Sequence, residues 1–292
     1  MKQEGFRYAC LAALAATLLG CGCLPGRGEG GRPGRGLPLP EMVVVEAGVF
    51  LMGSESGSAD ERPVHSVEIS RSFAMAATPV SLALWDIFCE EKGQAPLLVD
   101  VEERQRYPVT RASWFQAITF CNWLSEREGR TPCYRKGYGS CDFDADGYRL
   151  PTEAEWEFAA RGGNKSRGTL YAGSDDPDEV AWYKKEGSEG ADSHPGVRLM
   201  GLKKPNELGL YDMSGNCLEW CWDWYDPNYY SVSPPADPTG PRRSASIYGE
   251  RVRRGGLAGD VVTYCRVAKR SADSPDWKAG AVRLVYTLSE QP

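Results

Sequence analysis

Residues 251–285 read RVRRGGLAGDVVTYCRVAKRSADSPDWKAGAVRLV, two kinds of sequence interleaved. Residues 251–256, 265–268, Arg270, Pro275-Asp276 and 283–285 have the character of stiff framework. The pieces between them, 257–264, Lys269, 271–274 and 277–282, have no hydrophobic period. Strand-like pieces bracketing irregular, chemically mixed segments describe a rigid frame that presents a loop surface. An ordinary β-meander with surface loops would read the same way on this stretch alone, so the rest of the chain decides between the two.

Immediately upstream, residues 206–225 read NELGLYDMSGNCLEWCWDWY, in which Asp212, Asn216, Glu219 and Asp223 share a run with five aromatics and two cysteines. Acids in such apolar company either coordinate something or satisfy buried backbone and indole groups. Farther back, Tyr148-Arg149-Leu150-Pro151 leads into Thr152, and Thr152 with Glu155 is a capping-box pattern opening a short helix to Arg161, stopped by Gly162-Gly163. Ser113 opens a second helix running to Gly129. Its Trp114, Ala117, Ile118, Cys121 and Leu124 fall on one face, widened by Phe115 and Trp123. Pro79 and Ser81 open another through Lys92, with Gly93 as its stop. Residues 42–52 read as two short strands around a turn at Ala47-Gly48, and 64–69 as a third strand. Past Gly163 the pattern is loops and short strands, without an internal repeat.

At the start of the chain Lys2 and Arg7 precede an apolar run, 9–19, too short to span a bilayer, as in a signal peptide over residues 1–20. The junction Leu18-Leu19-Gly20-Cys21 resembles a bacterial lipobox, which makes Cys21 the lipidated mature N-terminus. Two or more acyl chains anchor stably, because each buried methylene contributes about 0.8 kcal/mol. Residues 21–40, rich in Gly, Pro and Arg, bury too little apolar surface to order and are expected to form a tether holding the folded part off a membrane. Residues 41–292 are then a single domain. The expected location is the bacterial cell envelope, on the outer surface.

The composition agrees. Gly 33 and Pro 20 call for many turns, and Trp 9 for side chains that each bury a large area. A net charge of −6, without a basic stripe, opposes nucleic-acid binding. Among the ten cysteines, Cys89 and Cys121 sit in apolar helical patterns and read as core. Cys133 and Cys141 flank a glycine-containing loop, a pairing open to them outside the cytoplasm, although spacing alone fixes no connectivity.

GYRLPTEAEWEFAARGG (147–163) and PNELGLYDMSGNCLEWCWDWY (205–225), with 42–54, 61–69, 107–133 and 251–285, resemble the formylglycine-generating enzymes, or sulfatase-modifying factors. The resemblance covers nearly all of the chain after the tether. It implies an α+β, C-type-lectin-like fold with short strands, two main helices and much irregular structure. Fold does not decide function. In the enzymes a cysteine pair after a Gly-Gly-Ser lead-in binds copper and handles oxygen. Here the lead-in is Gly255-Gly256-Leu257, residues 258–264 hold no cysteine, and Cys265 falls on a framework position. A copper(I) site needs two facing thiolates; Cys217 and Cys221 read as core. A second branch uses a three-histidine iron site, which the two histidines, His65 and His194, cannot build; both read as surface or loop residues.

A third branch comprises the variable proteins of diversity-generating retroelements, in which adenine-directed mutagenesis rewrites C-terminal loop residues. The frame Gly255-Gly256, Cys265-Arg266-Val267-Ala268, Arg270, Pro275-Asp276, Arg283-Leu284-Val285 resembles it, and the exported, lipid-anchored form resembles its treponeme lipoproteins. That resemblance implies a non-enzymatic ligand-binding protein with a variable region at 251–285. Its recognition surface would comprise Ala258, Gly259, Asp260, Val262, Tyr264, Lys269, Ser271, Ala272, Asp273, Ser274, Trp277 and Lys278, taking a protein or another surface molecule. Tyr264 and Trp277 would be the main anchors, unless Trp277 tucks into the core. The alternative is a secreted oxidase of sulfatase cysteines. No cofactor is required. The resemblance also implies a structural calcium site, with carboxylates from Asp212 and Glu219 and carbonyls from Gly215 and Cys217, although the same acids can instead hydrogen-bond local backbone.

Overall fold

The computed structural model describes residues 36–135, 139–185 and 196–288. The expected signal peptide, Cys21, the tether as far as residue 35, and His194 lie outside the described residues. Residues from Leu37 onward form one compact unit. Leu37 itself packs on an apolar cluster, so the folded part begins ahead of Glu41, where the sequence suggested.

Three helices start at the caps the sequence predicts. Ser81 accepts the Leu84 amide at 3.3 Å to open α1 (Leu82–Glu91). Ser113 and Gln116 exchange bonds of 3.2 and 3.1 Å at the head of α2 (Trp114–Arg127). Thr152 and Glu155 do the same, at 3.1 and 2.8 Å, for α3 (Glu153–Ala160). Each cap satisfies amides that the first turn leaves unpaired and contributes about 1 kcal/mol. The apolar faces of α1 and α2 meet through Trp85 stacked on Phe120 at 5.2 Å, and Cys89 and Cys121 are core residues, as expected. One further helical turn, α4 (Pro177–Val180), follows α3.

The strands are short and divided among four small sheets. β1 (Met42–Val45) and β2 (Gly48–Met52) do flank the Ala47-Gly48 turn but enter different sheets. β2 pairs antiparallel with β3 (His65–Ile69), Met52 opposite His65. β1 pairs with β4 (Phe73–Ala76), and β10 (Val285–Thr287) pairs with the other edge of β4. The end of the 251–285 stretch is thereby fixed to the β1–β4 pair. β5 (Ala181–Trp182) lies parallel to β6 (Ser214–Gly215). The last sheet has the order β7 (Glu219–Trp224), β8 (Arg251–Arg254), β9 (Ser271–Asp273).

Two strands and one histidine differ from the sequence reading. The FAMA run of β4 has no alternation because all four residues are buried. Residues 271–273 are edge strand, not loop: β8 pairs with them, Arg251 opposite Asp273 and Arg253 opposite Ser271. His65 is neither surface nor loop; it lies in β3, half-buried, with its ring 4.8 Å from that of Tyr230.

Candidate functional site

The frame beneath residues 251–285 is a set of buried ion pairs. α3 is buried on every side, yet it carries Glu153, Glu155 and Glu157. A carboxylate removed from water needs a cation and further hydrogen bonds. Glu153 receives Arg270 on both oxygens, at 2.8 and 2.9 Å. Glu155 receives Arg149, at 2.7 Å on each oxygen. Glu157 binds Arg254, Arg161 at 2.7 Å and the Gly53 amide at 2.9 Å. Two of these arginines, Arg254 and Arg270, close β8 and precede β9. Arg266 makes the same bidentate contact with Glu61, at 2.8 and 2.7 Å, and Arg283 with Glu219, at 2.8 and 2.7 Å. Every framework arginine past β8 is thus tied to an acid brought from elsewhere in the chain.

Burial works against the charge of Glu157, but Arg254 and Arg161 outweigh it and hold the carboxyl below its ordinary range. Arg251 has no such acid. Burial lowers it to about 9, and it lies 3.7 Å from the ring centre of Trp114 and 3.5 Å from that of Trp224, where the indole faces favour the cation. The glycines do what the sequence requires of them. Gly256 has φ +83°, and a Cβ there would stand 2.7 Å from the Tyr264 carbonyl, so the chain turns sharply into the loop.

On this frame the twelve expected surface residues divide. Gly259, Tyr264, Trp277 and Lys278 are exposed, Tyr264 by 46% and Trp277 by 62%, so Trp277 does not tuck into the core. Ala258 is a correction: it is 2% exposed, and its amide bonds the Asn216 carbonyl at 3.1 Å, because the turn after Gly255-Gly256 folds back onto 215–217. The other seven are half-buried and partly structural. Asp260 accepts the Leu257 amide at 2.9 Å and offers its carbonyl to Lys184 at 2.7 Å. Val262 packs beside Tyr171, Val180, Ala181 and Cys265. Lys269 donates to Ser58 Oγ at 2.9 Å, with its ammonium 5.2 Å from the Tyr264 ring. Asp273 binds Arg253 at 2.8 Å and, with Ser271 and Ala272, forms edge strand β9. Ser274, also half-buried, opens the turn that carries Trp277.

The surface therefore has two ends. Residues 257–264 leave the end of β8, and 274–278 leave the far end of β9. The three residues of β9 join them over roughly 10 Å. Leu257 and Val261 are also exposed on the first loop, and Ile247 and Tyr248, on the loop entering β8 at the Trp277 end, are exposed by 92% and 81%. Sequence reasoning missed these four, since only a broken period marks them. It also missed the acids of α3, for which there was a signal: glutamates at every second position of a helix that is otherwise Ala, Trp and Phe.

The thiols near the site are closed. Cys265 is buried, and burial pushes its thiol up to about 12. Cys217 and Cys221 are buried and raised well above the ordinary thiol value by loss of solvent. Of the expected calcium set, Glu219 does not fit the ion. Both Glu219 oxygens face Arg283, and one also accepts Trp156 Nε1 at 2.7 Å, so a cation there would meet a guanidinium. The Gly215 carbonyl accepts the Cys217 amide at 2.8 Å. Asp212 accepts the Gly201 amide at 2.8 Å, and burial raises its carboxyl.

Comparison with known proteins gives a consistent result. Residues 31–286 match the sulfatase-modifying factor enzyme 1-like domain family. A chaperone protein LppX of Paenibacillus barcinonensis is 37% identical over 63% of this chain and 72% of its own length. A formylglycine-generating enzyme of Streptomyces coelicolor is 34% identical over 62% of this chain, a match spanning 52% of that enzyme's length. Among solved structures, variable protein 1 of Treponema denticola superposes with a TM-score of 0.70 at 29% identity, covering 85% of this chain and 95% of that one. CarF superposes with a TM-score of 0.67 at 26% identity, over 86% of this chain and 100% of that one. The mixed helix and short-strand architecture is the C-type-lectin-like one that the sequence motifs imply, and the chain belongs to the sulfatase-modifying factor enzyme 1-like domain family.

Proposed function

We propose that this protein is a non-catalytic binding scaffold of its family. It recognises a protein or other surface molecule through loops 257–264 and 274–278, is held on the bacterial envelope by lipid on Cys21, and has its loops diversified by a retroelement. One observation carries the reading: Tyr264 and Trp277, with Leu257 and Val261, stand exposed on loops held by arginines paired with buried acids, Arg266 with Glu61 and Arg270 with Glu153. Large rigid side chains presented to solvent from a fixed frame are the anchors of a recognition surface. The likeness to a treponeme variable protein supports the same reading. The anchoring proposal rests on the Leu18-Leu19-Gly20-Cys21 junction; among the described residues no helix is long and apolar enough to cross a membrane.

The family's enzymes make the oxidase the second reading. Against it stand a loop without cysteine and the closed thiols of Cys217, Cys221 and Cys265. Incubating the purified protein with copper(I) and a sulfatase-type cysteine peptide separates the two. No aldehyde product is expected; copper-dependent turnover would overturn the scaffold reading. At the genomic level, a near-copy of the segment coding for 251–285, differing at adenines beside a reverse transcriptase gene, is expected. Cys21→Ala should release the protein from membranes.

A further inference from the structure

A second reactive feature lies away from the loop surface. A cavity of about 710 Å³ is walled by Arg71, Phe143, Arg149, Glu155, Asp237 and Cys141, among others, and shares none of the twelve loop residues. Its Cys141 wall belongs to a narrow hairpin. Tyr134 and Cys141 face each other in an antiparallel bridge, the Asp142 amide bonds the Cys133 carbonyl at 2.8 Å, and the Arg135 amide bonds Ser140 at 3.4 Å. Cys133 and Cys141 neighbour each other in this hairpin, and each thiol shifts the other, Cys133 downward and Cys141 upward. Cys133 is buried, with its sulfur 3.2 Å from the Gly147 carbonyl, whereas Cys141 is half-buried on the cavity wall. The other described cysteines, Cys89, Cys121, Cys217, Cys221 and Cys265, are all buried.

We propose that Cys133 and Cys141 are a redox-active pair that a small-molecule disulfide converts into an intramolecular disulfide, cross-linking the hairpin at the cavity wall. The cavity admits the oxidant to Cys141. Its sulfur attacks one sulfur of R–S–S–R, forming Cys141–S–S–R, and the departing thiolate takes the proton from Cys141. The Cys133 sulfur, its neighbour in the hairpin, then attacks the Cys141 sulfur, releases the second RS⁻ and passes it the remaining proton. Two protein thiols are oxidised and one disulfide is reduced to two thiols, so atoms and electrons balance. Cys141, the largest influence on Cys133, favours loss of the Cys133 proton, with Arg149 assisting. That suits Cys133 as the resolving nucleophile. A bond across a short loop restricts the unfolded chain and stabilises the domain. In an exported protein it would be the resting state.

The test is to reduce the folded protein, equilibrate it with oxidised glutathione, alkylate it under denaturing conditions and map the peptides without reductant. A linked peptide containing Cys133 and Cys141 is expected, with alkyl groups on the other five described cysteines. The thermal midpoint of the oxidised protein should lie above that of the reduced one, and this difference should vanish in Cys141→Ser. Alkylation of both cysteines at every glutathione ratio, a mixed disulfide that stops at Cys141, or linkage to another cysteine would each overturn the proposal. The mapping uses the wild-type protein and stands even if a variant fails to fold.

Discussion

Arg270 and Trp277 lie seven residues apart in one stretch and occupy opposite physical worlds. The guanidinium of Arg270 is buried, bidentate to Glu153 and bonded to the backbone carbonyls of Asp60 and Asp226. The indole of Trp277 is 62% exposed on a short turn. Arg254, Arg266 and Arg283 share the first condition, and Tyr264 and Lys278 the second. The contrast shows how a protein keeps a changeable surface. The chain is held at points where a change leaves a buried charge without its partner, and between those points Gly259, Tyr264, Trp277 and Lys278 face water, so their chemistry is free of the fold.

Removing a frame member should break the protein hardest. Arg270→Ala takes the bidentate partner from buried Glu153 and leaves it only Arg254, 3.5 Å away, at a cost of about 3–5 kcal/mol, read as a lower urea midpoint. Adding Glu153→Gln should recover part of the loss, because the stranded charge is gone. A smaller effect marks where the frame ends. Ala258→Leu should cost about 1–3 kcal/mol, since Ala258 packs under the loop rather than on it; an unchanged melt would return this residue to the recognition surface.

Acid should attack the frame and spare the loops. The Glu157 carboxyl is depressed by Arg254 and Arg161, so its contribution is complete above the unfolded carboxyl value of about 4.3 and is lost as pH falls through the folded value. Asp223 runs the other way. Burial, then the neighbouring charge of Glu153, raises it well above its ordinary value. Its contribution is present below the unfolded aspartate value and is lost as pH rises through the folded one. Glu157→Gln should therefore flatten the acid limb of a stability-against-pH curve, and Asp223→Asn should remove a decline on the rising side. Each change is on the order of 1–3 kcal/mol.

Much of the frame was legible. Ser81, Ser113 and Thr152 announce their helices because caps are local chemistry, and the Gly255-Gly256 turn follows from conformations that glycine tolerates. β4 and β9 were not legible: a strand buried on both faces loses its alternation, and SAD becomes strand only because β8 offers it an edge. Tyr264 and Trp277 stand exposed, as the loop reading expects, but Ala258 was placed on the surface because nothing in its neighbours encodes the backward fold onto 215–217. Glu219 is closed to calcium for a long-range reason: Arg283, far along the chain, occupies the carboxylate it would have offered. Glu153 and Glu157 were overlooked because their partners Arg270 and Arg254 lie about a hundred residues downstream.

The most direct measurement is the thermal melt of the Tyr264→Ala, Trp277→Ala, Lys278→Ala triple variant beside that of the parent. Exposed substitutions usually stay within about 0.5 kcal/mol each, and 1 kcal/mol moves the midpoint of a domain this size by roughly 2–4 °C. The account predicts a midpoint within a few degrees of the parent. A collapse comparable to that of Arg270→Ala would show that these side chains hold the fold rather than face a ligand, and would contradict the separation of frame from surface.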